Sequence, residues 1–167
     1  MNTLCGKAAR FALAAIATLL LTQPASAESS DARQLNQLFP KSTLQIATPD
    51  ARLHTFKVWL ADTNERRARG LMFVKELADD EGMLFIYPVP QRIAMWMKNT
   101  YIPLDMLFVD ASGKVLQVAA NTTPHSLNTI ESTDDVTAVI ELKASTAKRL
   151  HIAKGARVMH GAFATQK

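Results

Sequence analysis

The segment MLFVDASGKVLQVA, residues 106–119, carries the clearest local folding signal in the chain. Two apolar runs, 106–110 and 114–119, flank the sequence Ala111-Ser112-Gly113. Glycine readily adopts the positive φ angles of tight turns, so this arrangement is typical of a β-hairpin. The segment therefore predicts two adjacent antiparallel strands.

Similar strand and turn signals extend to both sides of this hairpin. Alternating or apolar runs bounded by turn residues occupy 43–48, 53–61, 83–87, 92–98, 136–142 and 156–160. Helical signals are short: one covers 62–70 with Asp62 as N-cap, and the other covers 145–152 with Ser145 as N-cap. The pattern predicts a mainly β fold, a compact jelly-roll or barrel-like antiparallel sandwich with one or two short peripheral helices.

The N-terminus has the three-part layout of a secretory signal peptide. Lys7 and Arg10 precede an apolar run at 11–21, and Ala25-Ser26-Ala27 places small residues at a cleavage site. The apolar run is shorter than the roughly 20 residues that a membrane-spanning helix needs. We expect residues 1–27 to be a signal peptide cleaved near Ala27, which predicts a periplasmic or secreted protein. An uncleaved N-terminal anchor is the alternative.

Signal cleavage would change the composition of the chain. The formal net charge falls from +4 to +2, and the only cysteine, Cys5, is removed. So small a charge gives no reason to expect nucleic-acid binding, and the remaining chain can form no disulfide. We expect a flexible leader over 28–42, a single β domain over 43–167, and no membrane span after cleavage.

The densest group of polar and aromatic residues is MWMKNTYIPLD, residues 95–105. On an alternating strand, Trp96 and Lys98 share one face. Asn99 would leave that strand, and Asp105 would open the next one and return near Lys98. An ammonium group beside a carboxylate can anchor a polar ligand, or it can form a structural ion pair that fixes a loop.

Two further sets of charged residues are candidates for a site. Arg66 and Arg69 share a helical face, which suits a carboxylate or phosphate but also suits a solvated basic surface. Glu141 lies among apolar residues of a predicted strand, where a carboxylate would need a partner. Asp105 and Glu141 could together form an acid/base pair.

The methionines suggest a metal-handling alternative. Met95 and Met97 share a strand face on either side of Trp96. Thioether ligands favour Cu(I), although methionine also fills irregular cores. The four histidines show no recognised metal spacing, so the sequence predicts neither a conventional metal site nor a cofactor.

Three motifs, RGLMF at 69–73, GMLF at 82–85 and WMKNT at 96–100 followed by IPLD at 102–105, resemble the DUF 192 family of uncharacterised, often exported bacterial and archaeal proteins. Glu141-Leu142 and Gly155 resemble its C-terminal marks. The resemblance covers roughly residues 43–161. It implies a compact, mostly β fold of jelly-roll or barrel character and no established activity. Ser145 departs from a common glycine, and Met95 departs from a common aromatic residue.

Together these observations predict a periplasmic binding or accessory domain. Its polar patch would contact a small anionic or sugar-like ligand, or an envelope partner protein. One alternative is a hydrolase or lyase that uses Asp105 and Glu141 with Lys98. Another is a Cu(I)-handling protein that uses methionine and tryptophan. No catalytic residue is assigned, and a non-enzymatic role is favoured. The predicted patch consists of Arg69, Trp96, Lys98, Asn99, Asp105 and Glu141.

Overall fold

The structure, a computed structural model, describes Met1 and residues 29–163. Apart from Met1, the predicted signal peptide lies outside the described residues. The helices are α1 (Ser30–Leu38), α2 (Asn64–Arg69) and α3 (Thr146–Arg149), with a final 3-10 turn at Gly161–Phe163. The strands are β1 (Lys41–Ala47), β2 (Leu53–Ala61), β3 (Glu81–Gln91), β4 (Ala94–Met95), β5 (Leu104–Val109), β6 (Val115–Ala119), β7 (Ile130–Glu131), β8 (Val136–Lys143) and β9 (Arg157–Met159).

Within the described residues, seven strands form one curled sheet in the order β6-β5-β8-β3-β2-β1-β9. β2 and β3 run parallel, and the other neighbouring strands run antiparallel. A parallel pair needs a long crossover, and here α2 and the loop after it provide that connection. The short strands β4 and β7 pair separately. The predicted mainly β, barrel-like fold with short helices is confirmed.

The predicted hairpin at 106–119 closes one end of the curl. Gly113 has a φ of +81°, and a Cβ there would lie only 2.5 Å from the Val158 carbonyl oxygen. Because glycine lacks that atom, β9 can approach, and the Val158 N–H donates to the Gly113 carbonyl at 2.7 Å. An isolated bridge between Lys114 and Arg157 joins the two edges of the sheet at this point.

Apolar side chains cover both faces of the sheet. One cluster takes residues from all seven strands, such as Phe56, Leu107 and Ile140, and fills the inside of the curl. The other lies on the outer face, where Met83, Phe85 and further residues pack beneath α1 and the loops. Successive strand residues point to opposite faces, so one step along β8 moves a side chain from one cluster to the other. This alternation determines where the polar residues of the site lie.

The segment predicted to be a flexible leader, 28–42, differs in the structure. Residues 30–38 form α1, whose N-cap Ser29 accepts a hydrogen bond from the Ala32 amide at 3.1 Å. Leu35 is buried in the outer cluster, and Asn36 accepts a hydrogen bond from the Trp59 indole at 2.8 Å. The helix is thus part of the domain, because its apolar face covers the sheet.

Two local predictions were also imprecise. The alternating run 92–98 forms strand only at Ala94–Met95, and the rest is loop. Helix α2 is capped by Thr63, whereas Asp62 forms an ion pair with Arg66 at 2.7 Å. Gly70 ends α2 as its C-cap with a φ of +46°. No helix in residues 29–163 is long and apolar enough to cross a membrane.

Candidate functional site

A small cavity of about 100 Å³ lies between the outer face of the sheet and the loops that cover it. Phe85 and Tyr87 on β3 and Glu141 on β8 form its floor. Its walls come from residues 67–72, at the end of α2 and beyond, and from residues 94–96 with Thr100. Sequence motifs far apart along the chain thus meet at one place.

Glu141 supplies the carboxyl group at the base of this cavity. It pairs with Met83 on β3 and with Met106 on β5, so its side chain shares their outer face. The residue is only 4% exposed. Its carboxyl group forms no hydrogen bond or ion pair with any residue in the described part of the chain. Burial raises the pKa of Glu141 from 4.5 to about 8, so the carboxyl group is largely protonated at neutral pH.

Close packing of two strands fixes the backbone at Glu141. Gly82 on β3 lies opposite Leu142, and a Cβ at Gly82 would come within 2.5 Å of the Glu141 carbonyl oxygen. Any larger residue would therefore push β3 away from β8. Gly82 therefore lies within the strand that supports the site.

Aromatic and sulfur-containing side chains surround the carboxyl group. The Tyr87 hydroxyl donates a long hydrogen bond to the Met95 sulfur at 3.7 Å. Burial raises the pKa of Tyr87 to about 12; the nearby Arg67 opposes this shift, and the Glu141 carboxylate adds to it. The Met72 sulfur accepts a similar contact from Asn99 Nδ2 at 3.9 Å. The cavity therefore combines one acidic group with soft and aromatic walls.

The two arginines of the cavity wall are already engaged. Arg69 donates to the carbonyls of Gly70 and Met72, and its guanidinium lies 5.1 Å from the centre of the Phe73 ring. Arg67 donates to the Ile86 carbonyl at 2.7 Å and stacks on the Tyr87 ring. The sequence suggested that Arg66 and Arg69 could bind one anion together, but Arg66 instead forms an ion pair with Asp62. A bidentate clamp for an anion would require Arg69 to leave these carbonyls.

Three of the six predicted site residues line the cavity, and two more, Lys98 and Asn99, contact residues that line it. Arg69, Trp96 and Glu141 line it. Trp96 is 47% exposed, and the Lys98 ammonium lies 5.2 Å from the centre of its ring. Asn99 reaches the cavity through its contact with Met72.

Asp105, the sixth predicted residue, lies apart from this group. It pairs with Leu142, so its side chain points to the inner face of the sheet, opposite to that of Glu141. It is fully buried, and its two oxygens accept hydrogen bonds from the backbone amides of Asn121 and Ala147, each at 2.8 Å. The predicted contact with Lys98 is absent, because Lys98 packs on Trp96 instead.

These positions bear on the two alternative functions. Asp105 and Glu141 lie on opposite faces of the sheet, so the structure does not bring them together on one substrate. Of the predicted methionine pair, Met95 lines the cavity and Met97 does not. Met97 is fully buried and accepts a hydrogen bond from Thr122 at 3.1 Å. Met72, which the sequence did not single out, lines the cavity with Met95. Across residues 29–163, no group of three or more His, Cys, Asp or Glu residues is placed to hold a metal ion.

Sequence reasoning also missed Tyr87 and Phe85. A usable signal existed, because Met83, Phe85 and Tyr87 occupy alternate positions of one strand and so share a face. What the sequence lacked was the pairing of β3 with β8, which places that face beside Glu141.

Comparison with known proteins gives the chain a family but no activity. Residues 45–160 match the sequence profile of the family DUF192, described as "Uncharacterized ACR". No curated protein matches the chain. A solved structure from Sinorhizobium meliloti 1021, described as a "putative transcription regulator", is 39% identical with a TM-score of 0.73; the match covers 74% of this chain and 96% of that one.

A second solved structure is similar over a comparable share of the chain. This protein of unknown function from Novosphingobium aromaticivorans DSM 12444 is 35% identical with a TM-score of 0.70, and the match covers 72% of this chain and 85% of that one. The resemblance noted in the motifs at 69–73, 82–85 and 96–105 is thereby confirmed. The chain belongs to the DUF192 family.

Proposed function

We propose that this protein is an exported binding domain that holds one end of a neutral, hydroxyl-bearing, sugar-like ligand in the cavity above Glu141. One observation carries the proposal: Glu141 is only 4% exposed, its carboxyl group has no hydrogen-bond or ion-pair partner within the described residues, and it lines a cavity. A buried polar group without a partner is costly, and such groups often mark functional sites.

The protonation of Glu141 favours a neutral ligand. An anion would be repelled by the ionised carboxylate, and a cation would gain nothing from the protonated form. A sugar hydroxyl can donate to the carboxylate and can accept from the protonated carboxyl group, so it suits both states. The engagement of Arg69 with two carbonyls further weakens the case for an anion.

The walls and size of the cavity support the same ligand class. The exposed indole of Trp96 offers an apolar surface at the mouth, against which the C–H face of a sugar ring can pack. Pockets for complete small ligands usually measure about 300–1,000 Å³. A cavity of about 100 Å³ can accept only one end of such a ligand.

Export is the second part of the proposal. It is supported by the charged segment with Lys7 and Arg10, the apolar run at 11–21 and the small residues before Glu28. Expression of the full chain should give a periplasmic product whose first residue is Glu28. Recovery of the intact chain from the cytoplasm alone would contradict export.

Ligand binding can be followed through the fluorescence of Trp96. Trp59 is buried and would dominate the signal, so we would use the Trp59→Phe background, in which Trp96 is the only tryptophan. Titration with glucose and N-acetylglucosamine should change the emission, with Kd values of about 1 mM or below. Glucuronate, the anionic comparison, should bind at least about tenfold more weakly.

Two variants connect this signal to the carboxyl group. Glu141→Ala should lower the affinity for the neutral sugars at least about tenfold, because it removes the hydrogen-bonding group at the base of the cavity. Glu76→Ala, at an exposed position, should leave the affinity unchanged. If neither sugar altered the emission, or if Glu141→Ala bound them as well as the parent protein, this proposal would be abandoned.

A Cu(I) site is the second candidate, because the sulfur atoms of two methionines lie in the cavity wall. Met72 lies in the loop after α2 and Met95 lies on β4, and Glu141 could balance the charge of the ion. Thioethers are suitable ligands for Cu(I), and the indole of Trp96 could contact the bound cation.

An anaerobic Cu(I) titration distinguishes the two candidates. A copper protein should bind the ion at submicromolar concentration and lose it in the Met72→Leu/Met95→Leu double variant. The matched control is Met159→Leu, an exposed methionine on β9 that should have no effect. Sugar binding without Cu(I) binding would eliminate this second candidate.

A further inference from the structure

Three exposed rings lie one after another on the surface beside the cavity: Phe73, Tyr101 and His125. We call them the aromatic row. The Phe73 and Tyr101 rings are 6.0 Å apart, edge to face, and the Tyr101 and His125 rings are 5.2 Å apart. Phenylalanine is usually buried, so a Phe73 ring that is exposed and continues through Tyr101 to His125 forms an apolar surface feature that needs an explanation.

The aromatic row begins at the cavity wall. Arg69 lines the cavity, and its guanidinium packs on the Phe73 ring at 5.1 Å. Met72, the residue before Phe73, also lines the cavity. A ligand that leaves the cavity on this side would therefore pass directly onto the rings.

Backbone hydrogen bonds hold the three ring-bearing loops in place. The Phe73 N–H donates to the Asn99 carbonyl at 2.8 Å, and the His125 N–H donates to the Thr100 carbonyl at 3.2 Å. Phe73 and His125 have positive φ angles of 67° and 62°, which are unfavourable for residues with side chains. The fold tolerates this strain while leaving the rings exposed, so internal packing alone does not account for their position.

We propose that the aromatic row binds the second and later units of the same ligand, which makes that ligand a short oligosaccharide. The inference rests on the proposed function. The cavity accepts only one end of a ligand, so the remaining units must lie outside it, and the row is the adjoining surface. The rings are inclined to one another, by 80° between Phe73 and Tyr101 and by 41° between Tyr101 and His125, and Arg69 packs on Phe73. Sugar units that follow the row would therefore turn from one ring to the next, each packing a C–H face on an exposed ring while its hydroxyl groups stay in water.

The test is the dependence of affinity on ligand length. The purified protein would be titrated with N-acetylglucosamine and with its β-1,4-linked dimer and tetramer. Isothermal titration calorimetry would measure the affinity for each sugar. We expect the affinity to rise about tenfold or more from the monomer to the tetramer, since each added stacking contact contributes to binding.

Tyr101→Ala removes the middle ring of the row. This variant should lower the affinity for the tetramer about tenfold and leave that for the monomer unchanged within about twofold. The matched control is Leu127→Ala, which removes an exposed apolar side chain that makes no ring contact. Its affinities for all three sugars should equal those of the parent protein.

The outcomes separate this inference from the proposed function. Equal affinity for monomer and tetramer, or a tetramer affinity unaffected by Tyr101→Ala, would overturn the oligosaccharide inference and leave the cavity proposal intact. If none of the three sugars bound, both would be overturned. A rise in affinity with length that Tyr101→Ala abolishes and Leu127→Ala preserves would support the inference.

Discussion

Asp105 and Glu141 are buried carboxyl groups on neighbouring strands, one register step apart, yet their surroundings are opposite. Asp105 is 0% exposed on the inner face and accepts two backbone hydrogen bonds. Glu141 is 4% exposed on the outer face and has no partner in the part of the chain that the structure describes. Burial alone therefore does not identify a functional carboxyl group.

The difference assigns separate roles to two residues that look alike in sequence. Asp105 lies on β5 and joins it to two other parts of the fold. It accepts hydrogen bonds from the amide of Asn121, just after β6, and from the amide of Ala147 in α3. Both of its carboxyl oxygens are hydrogen-bonded within the fold. Glu141 instead depends on the contents of the cavity, so its carboxyl group is available to a ligand. The following variants test this assignment, from the largest expected effect to the smallest.

Replacing Asp105 with alanine should destabilise the protein most. The variant loses two hydrogen bonds to a charged group and leaves two buried amides without acceptors, at a cost of about 5 kcal/mol. Urea denaturation measures this directly, and Asp134→Ala at an exposed position should change stability by no more than about 0.5 kcal/mol. A loss below about 1 kcal/mol would mean that Asp105 is not a structural anchor.

Replacing Glu141 with glutamine should stabilise the protein, by an amount that depends on pH. The folded pKa of about 8 lies above the ordinary 4.5, so the native state binds the extra proton between these values. Stability of the parent protein should therefore fall as pH rises through this window, and the neutral glutamine should remove that fall. We expect Glu141→Gln to be more stable by on the order of 3–4 kcal/mol at pH 8 and nearly equal at pH 4.5.

Denaturation curves at several pH values provide the measurement. Glu76→Gln, at an exposed position, is the control and should keep the pH dependence of the parent protein. A Glu141→Gln variant that lost stability at pH 8 would indicate that the carboxylate has a stabilising partner. The contrast with Asp105 would then fail.

Sequence reasoning succeeded where the signal was local. The hairpin at 106–119 and the strand at 53–61 follow from alternation and turn residues, and β2 has the predicted bounds. Alternation also marked Glu141 as a carboxylate in need of a partner. Strand pairing could not be predicted from the sequence. Without the register of β5 with β8, Asp105 and Glu141 could be placed in one site, although they lie on opposite faces of the sheet. The predicted contact between Lys98 and Asp105 likewise depends on a strand over 92–98, and the structure forms strand there only at Ala94–Met95.

The Asp105 side of the comparison can be sharpened at Ser145, just before α3. Ser145 has a φ of +67°, which glycine adopts without strain, and its hydroxyl donates only an exposed hydrogen bond to Asn121 at 2.9 Å. Ser145→Gly should therefore stabilise the protein by about 0.5 kcal/mol. Ser145→Ala keeps the strain and loses the hydrogen bond, so it should shift the urea midpoint in the opposite direction. Equal midpoints for the two variants would show that this backbone position is unstrained.

The smallest effect on stability is expected at Trp96, the largest side chain that lines the cavity. At 47% exposure with only Lys98 stacked on it, Trp96→Ala should change the free energy of unfolding by no more than about 0.5 kcal/mol. Trp59 is its matched control, because it is 2% exposed and donates a hydrogen bond to Asn36, so Trp59→Ala should cost about 3–5 kcal/mol. Both values can be measured by urea denaturation followed by circular dichroism, which does not depend on tryptophan emission. A large loss of stability in Trp96→Ala would show that the indole packs within the fold. It would then not be available to contact a ligand in the cavity above Glu141.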